Sequence, residues 1–292
     1  MPAFAEFDKF IRRNVPLAMH TWLQLGGPAE YFAEPKTLDE LLAVLRRCRQ
    51  EEIPARILGF GSNLLVPDAG VPGMVIRLTS PVFCDIRNKE TLLTAGGGAK
   101  LGRIVTHSAH AGLAGLEGLI GIPGTVGGAL YGNVGTNHGD IANWVESVVV
   151  TNLSGEVAQW TKEEIAFSQR HDTLADVVIL SATFRLTEDD PLELAKRLQN
   201  LWIIRKTQQP MSHQGGGRLF RNPPGLNVSE LIERAGLKGT RIGGAVICDR
   251  NTNFVLAEPE CTSGDVLRLI DLVHEQVAER LEIELELELE IW

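Results

Sequence analysis

In this 292-residue chain the first residues that could do chemistry are glycines. From residue 118 to 139 there is no Asp, Glu, Lys or Arg, and glycine stands at 118, 121, 124, 127, 128, 132 and 135, with Pro123 among them. A membrane-spanning helix presents bulky apolar side chains on all sides. Here most of the surface would be bare backbone, which is what a protein uses where amide N–H groups must come close to a ligand. A short helix over 125–132, opening just after Pro123, would aim free N–H groups and a partial positive charge at an anion. The stretch therefore reads as a cradle for phosphates. The competing reading is a tight structural turn between packed elements.

Two further glycine bends follow expected strands: Gly59-Phe60-Gly61-Ser62-Asn63-Leu64 after a strand over 55–58, and Gly96-Gly97-Gly98 after one over 91–95. The first sits where α/β proteins bind ligands, at the carboxyl end of a strand. It is neither a dinucleotide fingerprint nor a P-loop, since G-x-G-x-x-G and Gly-Lys-Ser/Thr are absent. Ser62 and Asn63 could equally be turn residues satisfying their own backbone. Together the three bends converge on one large ligand carrying a pyrophosphate, wrapped by backbone from two subdomains.

Other chemistry is poorly represented. His107 and His110 are three residues apart on an expected helix over 101–111, but no third ligand is spaced to join them, and no metal is expected. Cys48, Cys84, Cys248 and Cys261 are scattered without a C-x-x-C, and read as buried or incidental thiols in a reducing compartment. A net charge of −9 argues against nucleic-acid binding, because no basic face is there to release counterions. The first residues, MPAFAEFDKFIRRN, mix charges throughout and offer no apolar core for a signal peptide. A cytoplasmic protein with no membrane partner is expected.

The elements that must hold these bends follow from periodicity. A length of 292 residues allows two or three domains with their own cores. Residues 3–13 have the spacing of a short amphipathic helix. A strand is expected near 30–33, then a helix over 38–50 opened by a Thr37…Glu40 capping box, then strands at 55–58 and 64–66. Strands at 145–151 and 177–186 follow, with a turn at 152–155 and a short helix capped by Thr161 and Glu164 between them. A helix over 191–206 leads into a loop over 207–217, where a domain boundary is expected. The last part reads as a helix at 229–235, a strand at 253–257 and a long helix at 263–280. The end alternates, with Ile283, Leu285, Leu287, Leu289 and Ile291 facing a core and five glutamates facing away.

Six stretches, in order and spanning nearly the whole chain, resemble one family: LGGPAEYFAEP (25–35), ILGFGSNLLV (57–66), GLEGLIGIPGTVGGALYGN (115–133), SATFRL (181–186), LFRNPPG (219–225) and AGLKGTRIGGA (235–245). The family is that of the flavin-dependent UDP-N-acetylenolpyruvoylglucosamine reductases of peptidoglycan synthesis, and the spacing looks like its shorter subclass. The resemblance implies an α+β fold, made of a two-subdomain FAD-binding fold of the vanillyl-alcohol-oxidase type and a C-terminal α+β substrate domain. The expected divisions are 1–80, 81–207 and 208–292. It implies non-covalent FAD, NADPH as co-substrate and a UDP-sugar substrate, UDP-N-acetylglucosamine enolpyruvate, reduced to UDP-N-acetylmuramate. Nothing in the cradle compels covalent attachment, His138 being the only nearby candidate. In the implied reaction hydride passes from NADPH through the flavin to the methylene carbon of the enol ether, and a proton is added to the neighbouring carbon.

Matched residue by residue, the resemblance makes Gly59, Gly61, Ser62, Asn63, Leu64, Gly97, Gly121, Ile122, Pro123, Gly124, Thr125, Gly127, Gly128 and Asn133 cofactor contacts. Asn222 and Arg221 fall to the substrate. Arg170, in FSQRHD (167–172), matches an arginine that stabilises negative charge on the substrate carboxylate, and Glu288 an active-site glutamate with a raised pKa. One position departs. Gly216-Gly217 is followed by Arg218 where the family has its proton-donor serine. Arginine does not deprotonate at accessible pH, so it is a poor general acid, although it can hold an anion bidentately. Water or Glu288 would then give the proton. Two other readings stay open: a flavin-binding homologue with lost turnover, and a flavoenzyme on another anionic substrate that Arg218 selects. Lesser departures are Gln169 and Val134, where an aromatic residue and alanine are usual.

Overall fold

A computed structural model describes residues 4, 7–136, 139–165, 174, 176–208 and 216–292. The chain divides into two units, neither of them continuous in sequence. The first is Met1–Arg13, Tyr31–Phe60 and Pro72–Ile204; the second is Asn14–Glu30, Gly61–Val71 and Arg205–Trp292.

In the first unit the valine-rich run 145–151 becomes the strand Val145–Asn152, an inner strand of an antiparallel sheet. Its order is Val157–Thr161, Val145–Asn152, Val177–Arg185, Leu92–Gly96 and Ile86–Lys89. One face buries Leu93, Ala95, Val148, Val150, Ala182 and Phe184 against helices Leu101–His110 and Val126–Tyr131. On the same sheet the Thr94 and Thr183 hydroxyls pair across strands at 3.1 Å. A second core lies under helix Leu38–Gln50, which buries Leu41, Val44, Leu45 and Cys48 against Met74, Ile76, Leu78 and Phe83. That helix starts where the box predicts: Thr37 Oγ1 accepts from the Glu40 amide at 3.2 Å, and Glu40 Oε2 accepts from the Lys36 amide at 2.6 Å. The strand after it, Ala55–Ile57, lies parallel to Met74–Ile76.

The second unit carries a four-stranded antiparallel sheet, in the order Gly216–Arg218, Phe254–Ala257, Ala245–Ile247, Arg241–Ile242. Helices Val228–Arg234 and Ser263–Leu281 cover it and share its core, with Leu219, Phe220, Leu231, Val255, Leu269 and Val273 buried together. Leu23, Leu25 and Leu65, far away in sequence, complete that core. Helix Ser263–Leu281 opens on a full capping box, with Thr262 accepting from the Asp265 amide and Asp265 from the Thr262 amide. Its long apolar stripe makes the helix; the left-handed residue Glu282, at φ 58°, ends it.

Three expectations need correcting. Residues 7–10 are turns and Ile11–Pro16 is a strand, so no amphipathic helix covers 3–13 among the described residues. The three-residue spacing of Phe4, Phe7 and Phe10 belongs to successive turns, whose amides at Phe7 and Phe10 donate to the carbonyls of Phe4 and Phe7. At 161–165 the capping bond is made, from the Thr161 amide to Glu164 Oε2 at 2.7 Å, but the described residues form a single turn; residues 166–173 lie outside them. The tail 283–291 is not one strand. Leu287 makes an isolated bridge with Phe220, and Glu290–Ile291 then pairs in parallel with Leu64–Leu65. The tail changes partner part-way, so its alternation breaks: Leu285 and Leu289 are buried, but Ile291 is 41% exposed.

Candidate functional site

The change of partner in the tail falls at Glu288. The Glu288 and Leu289 amides both donate to the Leu219 carbonyl, at 2.7 and 3.2 Å, instead of continuing a ladder. Leu219 follows directly on Arg218, the last residue of its strand, and Arg218 Nε stands 3.2 Å from Glu288 Oε2. The Glu288 side chain is only 28% exposed. Burial pushes its carboxyl above the ordinary carboxylate range, while the Arg218 and Arg221 guanidiniums pull it back down. Burial thus makes this carboxyl hold its proton more readily than an exposed glutamate does, and the Arg218 guanidinium stands beside it.

The neighbouring backbone is held by a buried amide that sequence reasoning missed. Asn253 Oδ1 accepts from the Phe220 amide at 2.9 Å and Asn253 Nδ2 donates to the Phe220 carbonyl at 2.7 Å. One side chain thus serves both polar groups of Phe220 just where the segment leaves the sheet. An asparagine before a strand carries no mark of this in sequence. Next along, the Arg221 amide donates to the Glu286 carbonyl at 2.8 Å, and Arg221 Nη1 lies 3.5 Å from Glu286 Oε1. Asn222 Oδ1 accepts from the Val228 amide at 3.1 Å. Beside it opens a cavity of about 500 Å³, lined also by Pro223, Gly225, Asn227, Glu230 and Arg234.

The Gly61–Leu64 turn belongs to this same unit. Gly61 sits at φ +65°, and an added Cβ would fall on the His20 carbonyl oxygen, so local packing alone demands glycine there. Its carbonyl accepts from the Trp22 amide at 2.8 Å. Asn63 Nδ2 donates to the Glu288 carbonyl at 2.7 Å, and the Asn63 carbonyl accepts from the Glu290 amide at 3.0 Å. Leu64 is buried and pairs with Glu290; Ser62 is half-buried.

In the first unit the short helix expected over 125–132 is Val126–Tyr131, and Thr125 caps it, accepting from the Gly128 amide at 3.2 Å. The strand end at Gly96–Gly98 and the loop 121–125 are laced together. Gly127 donates to the Gly97 carbonyl at 2.7 Å, Val126 to Ala99 at 2.9 Å and Leu101 to Gly124 at 2.9 Å. Gly97 in turn donates to Leu180 at 2.8 Å. Added Cβ atoms at Gly96, Gly97 and Gly98 would strike the carbonyls of Phe83, Ile179 and Leu78. That triple glycine is explained by close backbone packing, the structural alternative to a ligand bend.

Gly124 is different, since an added Cβ there meets nothing within 4 Å. Among the described residues the amides of Gly59, Gly121, Gly124 and Thr125 have no hydrogen-bond acceptor. Gly59 faces the Thr125 hydroxyl, which an added Cβ would approach to 2.8 Å. Unpaired amides around open space, next to a short helix start, fit the pyrophosphate of a dinucleotide. Ile122 and Pro123 are half-buried in the same loop. Asn133 takes a left-handed conformation, φ 40°, and its Oδ1 accepts from the Ala142 amide at 3.4 Å. Arg170 and His138 lie outside the described residues. His107 Nε2 hydrogen-bonds Asn88 Oδ1 at 2.9 Å, and among the described residues no His, Cys, Asp or Glu cluster could hold a metal.

Comparison with known proteins bears on both halves of the chain. The family model for an FAD binding domain matches residues 29–161, and that for the C-terminal domain of UDP-N-acetylenolpyruvoylglucosamine reductase matches 209–292. The chain is 38% identical to the UDP-N-acetylenolpyruvoylglucosamine reductase of Rhodopirellula baltica, over 97% of its own length and 92% of the relative's. It is also 38% identical to the protein of that name from Moorella thermoacetica, over 96% of this chain and 92% of the other. Among solved structures, the UDP-N-acetylenolpyruvylglucosamine reductase of Thermus caldophilus superposes with a TM-score of 0.82 at 36% identity, covering 97% of this chain and 100% of that one.

Proposed function

The chain belongs to the UDP-N-acetylenolpyruvoylglucosamine reductase family, and on that footing we propose that Glu288 is its proton donor, with Arg218 stabilising the carboxylate left behind. The fold is the α+β one expected: an FAD-binding fold of the vanillyl-alcohol-oxidase type with a C-terminal α+β domain. The enzyme is an FAD-dependent oxidoreductase that reduces UDP-N-acetylglucosamine enolpyruvate to UDP-N-acetylmuramate in peptidoglycan synthesis, with NADPH as co-substrate. Bound FAD supplies the hydride.

The rest falls to the chain's own residues. The unpaired amides of Gly59, Gly121, Gly124 and Thr125 hold the cofactor's diphosphate. As hydride reaches the methylene carbon, negative charge builds on the neighbouring carbon and its carboxylate. Arg170 meets that charge. The Glu288 carboxyl, whose hold on its proton burial strengthens, gives that proton to the neighbouring carbon, and the guanidinium 3.2 Å away receives the new charge. Asn222 and Arg221 hold the UDP-sugar, a role supported by the cavity beside Asn222 and by its side-chain nitrogen, which has no protein acceptor among the described residues. The divisions 1–80, 81–207 and 208–292 and a cytoplasmic setting without nucleic-acid or membrane partners belong to the same reading. The boundary at 208 is supported by the family match over residues 209–292, and the lack of a nucleic-acid partner by the charge of −9; among the described residues no helix is long and apolar enough to cross a membrane.

The observation that carries the proposal is the half-buried Glu288 carboxyl against Arg218. Anaerobic stopped-flow tests it. NADPH should bleach the flavin in Glu288→Gln as in the parent, while reoxidation by the UDP substrate should slow about 10²–10⁴-fold, the usual worth of a general acid. Unchanged reoxidation in that variant would overturn the assignment. Parent protein that bleaches but is never reoxidised by the substrate would instead be a flavin-binding homologue with lost turnover.

A further inference from the structure

We infer that Asn63 is a positioning residue for Glu288, its side-chain amide fixing the Glu288 carbonyl and so the place of the carboxyl beside Arg218. This rests on the reading of Glu288 as proton donor. By resemblance Asn63 is a cofactor contact, yet its side chain reaches a residue 225 positions away at 2.7 Å.

The backbone of Glu288 shows why this matters. Its amide is held by the Leu219 carbonyl and its carbonyl by Asn63, so the peptide groups on both sides of the acid are tied down. Neither tie belongs to a regular ladder, because Glu288 sits where the tail leaves Phe220 and has not yet joined Leu64–Leu65. The Asn63 carbonyl adds a third tie through the Glu290 amide. Main-chain bonds can be made by any residue at 63, whereas the 2.7 Å bond needs a side chain of this length that donates. Aspartate has the same shape but would set an acceptor against an acceptor. With the carbonyl released, the peptide after Glu288 keeps only the longer 3.2 Å bond from the Leu289 amide to the Leu219 carbonyl, a looser hold that lets the side chain shift off Arg218. The charged groups acting on Glu288 are Arg218 and Arg221, both on the segment facing it.

The experiment compares Asn63→Asp and Asn63→Ala with the parent holoenzyme in the two anaerobic half-reactions. A second readout is a carbon-13 titration of the Glu288 carboxyl, its signal identified by loss in Glu288→Gln. NADPH bleaching, normalised to bound flavin, is the reference for each variant, since by resemblance Asn63 also touches the cofactor. Reoxidation by UDP-N-acetylglucosamine enolpyruvate should slow about 10–100-fold, the scale of a misplaced catalytic group, and the Glu288 titration midpoint should move. Parent-like reoxidation and an unmoved midpoint in both variants would overturn the inference. So would loss of flavin with normal reoxidation of the flavin that remains, which would make Asn63 a cofactor contact alone. If Glu288→Gln itself reoxidises normally, the proton-donor reading fails, and the titration still decides whether Asn63 positions Glu288.

Discussion

The pairing of Arg218 with Glu288 turns an apparent loss into an arrangement that can be measured. Burial raises the carboxyl's pKa and the guanidinium opposes the rise. A proton donor works only while protonated, so reoxidation should fall as pH climbs through the Glu288 pKa. Arg218→Ala removes the opposing charge. The falling limb should therefore move to higher pH, while the plateau drops about tenfold as the new carboxylate loses a charged hydrogen-bond partner worth ~1.5 kcal/mol. Arg218→Ser should be faster than Arg218→Ala, because it adds a hydroxyl where the resemblance puts the family's donor. Equal rates in the two would remove that account of position 218. The types at 218 and 288 can be read from sequence, but their contact cannot: it depends on where a tail leaves one partner for another, which no local spacing records. The role of Asn63 is hidden for the same reason.

Elements were legible where the signals that define them are local. Helix Leu38–Gln50 starts at its box and keeps its apolar stripe, and the short helix after Pro123 falls within the expected 125–132. Glycine is harder, since one letter serves two physical needs. Gly98→Ala would drive a methyl into the Leu78 carbonyl and should lower stability by about 1–3 kcal/mol, seen as a lower melting temperature of the apoprotein. Gly124→Ala meets open space and should melt like the parent while binding FAD more weakly, measured by fluorescence titration. At the start of helix Ser263–Leu281, hydrogen bonds from the Thr262 and Gly244 amides hold Asp265 down to about 2. With its folded pKa below the unfolded value, Asp265 stabilises the helix above pH ~4, and that contribution is lost as pH falls towards 2. Asp265→Asn should flatten this stretch of the stability profile in acid denaturation.

For the molecule as a whole the decisive fact is that each unit is assembled from separated stretches. The second takes Leu23, Leu25 and Leu65 into a core made mostly of residues beyond 205. A fragment of residues 208–292 lacks them, and should show no cooperative melting by circular dichroism; a fragment that folds would mean those leucines are dispensable. Periodicity reveals the elements of this core but not its membership, since residues that share it stand far apart in sequence. The same layout has a consequence during synthesis. Asn63 leaves the ribosome 225 residues before Glu288, roughly 10–45 s at ordinary elongation rates of ~5–20 residues per second. Through that interval Leu64 and Leu65 have no Glu290–Ile291 to pair with, so the nascent chain carries a bare apolar strand edge for a chaperone to shield, and the acid is set in place only once residues 290 and 291 have emerged.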